Sequence, residues 1–292
     1  MFRGTFTALV TPFRSGAIDV SAYEKLIEAQ IAAGITGIVA VGTTGESPTL
    51  LPEEREQVIR LAVTRAKKRC IVLAGTGSNS THHAITDTKT AEKLGTDGAL
   101  LVAPYYNKPS QEGLFRHFKT IANATSLPIM LYNIPGRCGV DIGPDTVVRL
   151  ATECRNIVSI KEASGSVERV SELRARLPEA FTILSGDDSL TLPFMSVGAV
   201  GVVSVASNLF PAEICALVRA FESGDATAAE RLHHKLFPLF KALFIEPNPV
   251  PVKTALGWRG AISGECRLPL CEMTEANQVR LRKTLEDFEQ AR

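Results

Sequence analysis

Eight short apolar runs recur along the chain, at residues 5–10, 37–41, 70–74, 98–102, 129–132, 157–160, 181–184 and 201–204. Their apolar character is nearly continuous, as expected of parallel strands covered on both faces by helices. Between them the hydrophobic period becomes helical, most clearly over 20–33, 53–67, 81–94, 111–124, 144–151 and 166–177. Eight βα units over about 220 residues predict a closed (β/α)8 TIM barrel, an α/β fold, with an open doubly wound sheet as the alternative. Local signals agree: Asp19 precedes the first helix, Leu51-Pro52-Glu53-Glu54 opens the second, and Gly34 and Gly95 end helices.

Beyond Pro211 the pattern is helical throughout, over 212–222, 226–243, 251–256 and 274–289. The expected division is a catalytic barrel over residues 1–224 and a C-terminal helical region over 225–292. Glu246-Pro247-Asn248-Pro249-Val250-Pro251 interrupts the second part, because prolines at alternate positions cannot continue a helix. This segment reads as a rigid turn.

Composition narrows the partners. The 32 basic and 31 acidic residues leave a formal charge of +1 with no block of one sign, which argues against nucleic-acid or membrane-surface binding and for a small-molecule partner. No apolar run approaches the ~20 residues of a membrane span, and Met1-Phe2-Arg3-Gly4-Thr5 lacks a signal peptide's apolar region. A cytoplasmic setting is expected. The 6 cysteines lack CxxC spacing and read as reduced thiols. Of the 5 histidines (His82, His83, His117, His233, His234) none ends a predicted strand; they are expected to be solvated helix residues, with no metal site.

The strand-like run Asn156-Ile157-Val158-Ser159-Ile160-Lys161 ends on a primary amine just before a polar turn. A lysine at the mouth of a buried strand becomes a nucleophile when desolvation lowers its pKa. At a pKa of ~10.4 roughly one amine in 2,500 is neutral at pH 7; at ~7 to 8 the fraction is about a tenth to a half. Three further segments would share its end of the barrel. Gly42-Thr43-Thr44-Gly45-Glu46-Ser47 offers backbone N–H groups to an anion. Pro104-Tyr105-Tyr106-Asn107-Lys108-Pro109 and Tyr132-Asn133-Ile134-Pro135-Gly136-Arg137 supply tyrosines for proton transfer and an arginine for a carboxylate. Singly, each has a commonplace structural reading; their convergence at the carboxyl ends of barrel strands favours a catalytic one. Gly75-Thr76-Gly77-Ser78-Asn79 and Ser185-Gly186-Asp187-Asp188-Ser189 read as rim-forming turns, the aspartates as helix caps.

Together with Asn248-Pro249-Val250-Pro251-Val252-Lys253, these segments resemble the dihydrodipicolinate synthase family, within the pyruvate-dependent lyases typified by N-acetylneuraminate lyase. The resemblance covers nearly the whole chain. It implies a cofactor-free, class I aldolase-type condensation of pyruvate with aspartate 4-semialdehyde, on the route to diaminopimelate and lysine. By that resemblance Lys161 forms the Schiff base, and Tyr132, Thr43 and Tyr106 form a proton relay. The N–H groups of Thr43 and Thr44 hold the pyruvate carboxylate, Arg137 grips the aldehyde substrate's carboxylate, and Gly186 and Val203 line the pyruvate pocket. The family pattern also implies that Tyr106 reaches into a neighbouring subunit, in a homo-oligomer built as a dimer of dimers. Ser47, Asn79 and Tyr105 match the effector cleft of the lysine-inhibited members, but Arg55 stands where histidine or glutamate is usual and His83 where glutamate is usual. Weak or absent lysine inhibition is the expectation, since an arginine repels a cationic ligand. An N-acetylneuraminate lyase, a 2-keto-3-deoxy sugar acid aldolase, and a non-catalytic pyruvate-binding barrel are the alternatives.

Overall fold

The computed structural model describes residues 2–290. Eight parallel strands close into a barrel: β1 (Gly4–Ala8), β2 (Gly37–Ala40), β3 (Ile71–Gly75), β4 (Gly98–Val102), β5 (Ile129–Asn133), β6 (Ile157–Glu162), β7 (Thr182–Ser185) and β8 (Gly201–Ser204). Each pairs with its sequence neighbours, and β1 pairs with both β2 and β8. The TIM barrel expected from the alternating pattern is therefore the observed fold, and the open sheet is excluded.

Side chains that point inward form a compact core of Phe6, Ala8, Val39, Leu73, Leu100, Met130, Leu184 and Val203, with Phe2 beside Phe6. A larger apolar layer lies between the strands and the surrounding helices. Strand side chains alternate between these two compartments, so a one-residue shift in register would exchange them. In β5 and β6 Tyr132 and Lys161 are paired in register, as are Asn133 and Glu162. This parity decides which side chains reach the barrel interior.

Residues 226–290 do not stand apart. Leu236, Leu239, Phe240, Leu281, Leu285 and Phe288 belong to the same apolar cluster as the barrel helices. The outermost positions of the two expected segments, residues 1, 291 and 292, lie outside the described residues. Residues 246–249 of the proline-rich interruption fall between the helices Ala226–Ala242 and Val250–Trp258, whereas Val250 and Pro251, expected in the turn, open the second helix, where the missing proline N–H breaks no helical hydrogen bond. Pro238 nevertheless lies inside the first of these.

Several smaller elements escaped the apolar pattern because they are too short to show a period. They include the two-stranded hairpin Phe13–Arg14 with Ala17–Ile18 and the helices Pro135–Cys138 and Thr191–Met195. The helix caps follow the local signals: the Asp19 carboxylate accepts from Ala22 N at 3.0 Å and Glu54 Oε2 accepts from Leu51 N at 2.9 Å. The histidine expectation fails at His117 and in part at His233, which is half-buried against the Phe237 and Phe240 rings. His117 is buried on the apolar face of its helix, with Nδ1 2.8 Å from Thr81 Oγ1, and burial lowers its pKa to about 4. It is neutral core, packed edge-on against Phe118. Among the described residues, no helix is long and apolar enough to cross a membrane, and no group of His, Cys, Asp or Glu has the arrangement of a metal site.

Candidate active site

Lys161 lies one residue before the end of β6 and is 95% shielded from solvent, its relative exposure being 5%. Its inward direction is locked from behind. Glu162, the next residue, points the opposite way and accepts from Arg169 Nε at 2.8 Å and from Ser164 N at 2.7 Å. Asn133 Nδ2 reaches the same carboxylate at 3.2 Å and Asp141 Oδ1 at 2.7 Å. The network fixes the ends of β5 and β6 outside the barrel. By strand alternation it thereby fixes Tyr132 and Lys161 inside.

The Lys161 amine sits 4.1 Å from the centre of the Tyr132 ring and has no ion-pair partner among the described residues. Burial lowers its pKa to about 7; the Asp188 carboxylate opposes that shift, and the Arg137 guanidinium adds to it. Asp188 is itself buried, accepting from Ser204 Oγ at 2.5 Å and from the N–H groups of Val205 and Ala206 at 2.9 and 3.0 Å. Desolvation raises its pKa, against these hydrogen bonds. Gly186 leaves the space that the lysine occupies. A Cβ there would stand 3.0 Å from Lys161 Cε and 2.8 Å from Ala163 Cβ, so a side chain would push directly on the amine's stem.

Tyr132 is also buried, and desolvation raises its pKa to about 12, with Arg137 and the Thr43 hydroxyl opposing the rise. It therefore remains a phenol at neutral pH. Thr43, Ser47 and Tyr132 line one small cavity, together with Val41, Leu100 and Val102. Larger concavities exist, one of them between Trp258, Cys266 and Met273, but they lie away from this amine. Val203 borders the barrel interior and is 1% exposed.

The Gly42–Glu46 turn follows β2. Among the described residues, the N–H groups of Thr43 and Thr44 have no protein acceptor, whereas those of Gly45 and Glu46 return to Gly42 O and Thr43 O at 3.0 and 3.1 Å. Two neighbouring free donors are a ready cradle for a carboxylate. Gly75 lets the turn sit where it does, because a Cβ there would come within 2.3 Å of Val41 O. That glycine has a packing role, as its structural reading in the sequence anticipated.

The rim is distributed differently. Arg137 is exposed, and its Nη2 donates to Asn248 O at 3.3 Å. Asn248 Nδ2 in turn donates to Thr44 Oγ1 at 3.0 Å. Tyr106 is 88% exposed with φ 74°, and within this chain the structure does not join it to Thr43. Tyr105 is 39% exposed, and Asn79 O accepts from Asn107 Nδ2 at 2.9 Å. Arg55 is not a free cation: it pairs with Asp87 at 2.9 Å and reaches Gly75 O at 3.3 Å, while His83 is exposed.

Of the two aspartates read as helix caps, Asp187 does cap, accepting from Ser189 N at 2.9 Å, whereas Asp188 is a buried carboxylate turned to Ser204, Val205 and Ala206. Two further contributors received no role from the sequence, Asn248 as a link between Thr44 and Arg137 and the Glu46–Lys253 ion pair. One signal was available for the last. Lys253 is a lone cation among Val250, Val252, Ala255 and Leu256, all buried.

The model of the dihydrodipicolinate synthetase family matches residues 1–288. The 4-hydroxy-tetrahydrodipicolinate synthase of Endomicrobium trichonymphae is 53% identical over 288 residues, covering 99% of each chain. The solved structure of the 4-hydroxy-tetrahydrodipicolinate synthase from the methanotroph Methylacidiphilum fumariolicum SolV aligns with a TM-score of 0.99 at 59% identity, over 99% of this chain and 97% of that one. Dihydrodipicolinate synthase from Aquifex aeolicus aligns with a TM-score of 0.97 at 51% identity, over 99% and 98%. Likeness of this depth runs through the barrel, the lysine-bearing strand and the C-terminal helices alike: the chain belongs to the dihydrodipicolinate synthetase family.

Proposed function

We infer that the protein condenses pyruvate with L-aspartate 4-semialdehyde to give 4-hydroxy-tetrahydrodipicolinate, a lyase-class step in diaminopimelate and lysine biosynthesis. The observation that carries the reading is a buried lysine amine with a pKa near 7 at the barrel mouth, stacked on a buried tyrosine. A neutral amine attacks the keto carbon of pyruvate, and loss of water leaves a protonated imine. That cation draws electrons from the neighbouring methyl group, a proton leaves, and the resulting enamine attacks the aldehyde carbon.

Tyr132, hydrogen-bonded through Thr43, is the proton carrier, since hydroxyl groups both donate and accept. The free N–H groups of Thr43 and Thr44 receive the pyruvate carboxylate; Gly186 and Val203 shape the pocket around the methyl group. Arg137, at the rim and within electrostatic reach of both Lys161 and Tyr132, receives the carboxylate of the aldehyde. Tyr106 completes the relay in a second copy of the chain. Its near-complete exposure suits insertion into a partner's site, in a dimer that pairs again into a tetramer. The C-terminal helical region braces the site through Asn248 and Lys253. A cytoplasmic setting fits the six free thiols.

Borohydride reduction in the presence of pyruvate tests the central step: an added pyruvate-derived mass is expected on the peptide containing Lys161. Arg137→Ala should retain that adduct while raising the KM for the aldehyde by about 10- to 100-fold, the cost of one charge-assisted bidentate contact. Loss of the adduct in Arg137→Ala, or an unchanged aldehyde KM, would assign the arginine elsewhere. Efficient cleavage of sialic acid would favour the lyase alternative, and binding of pyruvate without any adduct would favour the non-catalytic one.

Ser47, Asn79 and Tyr105 form the proposed effector cleft, flanked by Arg55 and His83. Asp87 offsets part of the Arg55 charge, but Arg55 and His83 put no carboxylate of their own where the family pattern has one. Activity is therefore expected to persist in lysine on the order of 1 mM, a concentration that would fill at least half of any site of about −4 kcal/mol or stronger. Half-inhibition far below that level in a coupled assay would refute the charge argument.

A further inference from the structure

Glu46 and Lys253 form an ion pair in which neither side chain has exposed surface. Such a pair is weak support for stability, because apolar residues of similar volume serve as well or better. Its position supplies another reason for it. Glu46 closes the turn that carries Thr43 and Thr44, and it does so with φ 54°, in the left-handed region that a residue with a Cβ adopts only under constraint.

The constraint is visible atom by atom. Glu46 Oε1 accepts from Lys253 Nζ at 2.5 Å and Oε2 accepts from Arg267 N at 2.9 Å. Lys253 Nζ also donates to Thr11 O at 2.9 Å, and Thr11 Oγ1 donates to Gly45 O at 2.8 Å. One ammonium thus ties both the side chain of Glu46 and, through Thr11, the carbonyl of the preceding residue. The Phe13 ring, 4.3 Å from Nζ, covers the remaining side of the charge.

We propose that Lys253 and Glu46 are positioning residues for the pyruvate carboxylate: the pair holds the turn so that the Thr43 and Thr44 N–H groups face the site. The proposal rests on the reading of that turn as the pyruvate cradle. It explains why a helix from the C-terminal region sends a lysine to the turn after β2, where a methionine would fill the same volume without a desolvated charge.

The test compares wild type, Lys253→Met, the doubly neutral Glu46→Gln/Lys253→Met, and Thr11→Val, following melting temperature, KM for each substrate, and borohydride trapping against pyruvate concentration. Lys253→Met should raise the pyruvate KM and the half-trapping concentration by about tenfold or more, with the aldehyde KM within about twofold of wild type, the pattern of a lost binding geometry for one substrate. The double variant should recover most of the melting temperature, because no charge is orphaned, yet keep the raised pyruvate requirement. A purely structural pair would recover its melting temperature in the same way but with the wild-type pyruvate dependence, so a folded double variant with that dependence overturns the proposal. Where neither lysine variant folds, Thr11→Val carries the test: a rise of about threefold in pyruvate KM is expected on loss of its hydrogen bond to Gly45, and no rise counts against the clamp. Failure of the wild-type protein to form an adduct at any pyruvate concentration would instead remove the cradle reading beneath it.

Discussion

Replacing Lys161 with alanine should abolish the borohydride-trapped pyruvate adduct and lower turnover by about 10,000-fold, because no other group can form the imine that makes the methyl carbon acidic. The fold should survive. Glu162, Asn133, Asp141 and Arg169 lock the strand ends from outside the barrel, and none of their bonds involves the lysine side chain. The wild-type trapping rate should climb as pH rises from 6 towards 8 and then level, following the neutral fraction of an amine with a pKa of about 7. A rate that kept rising towards pH 10 would mean an ordinary, solvated lysine.

The same shift has a consequence for stability. Lys161 has a lower pKa folded, about 7, than unfolded, ~10.4, so between these values the unfolded chain binds the extra proton and stability rises with pH. Below pH 7 both states are protonated and the destabilisation from burying the charge is complete. Lys161→Ala removes it. The variant's melting temperature should therefore improve relative to wild type as pH falls from 10 to 7 and change little in that difference below 7. Parallel melting curves across the whole range would contradict the burial argument even if activity were lost.

The barrel was legible because its signal is repeated. Eight apolar runs and the helical period between them survive errors of a few residues at each boundary, as at β5, which extends one residue past its predicted end to Asn133. Lys161 was legible for a different reason: it ends an apolar run, so its burial follows from strand alternation and from the position of strand ends in a barrel. What the sequence concealed depends on pairing across long separations. Asn248 and Thr44 are 204 residues apart and Lys253 and Glu46 are 207 apart, and no local period records such contacts. His117 misled for a related reason. A histidine beside Phe118 on an amphipathic helix looks solvated until the neighbouring helix supplies Thr81 as its partner.

Tyr132→Phe is expected to lower kcat/KM by about 100- to 1,000-fold while leaving the Lys161 adduct obtainable, a separation that identifies proton transfer as the lost function. The ring beneath the amine is retained, so the desolvation that lowers the lysine pKa persists and imine formation keeps its pH dependence near 7. Only the hydroxyl goes. With a pKa of about 12 that hydroxyl is protonated at neutral pH, and it cannot serve as a standing base. It must pass on one proton as it accepts another, and the relay proposed above runs through Thr43 to Tyr106 of a second copy. The variant should consequently show slower exchange of the pyruvate methyl protons with solvent as well as slower condensation, since enamine formation and aldehyde attack both need the relay. If methyl exchange proceeds at the wild-type rate in Tyr132→Phe, the proton leaves by another route and the tyrosine serves only as the floor on which the lysine rests.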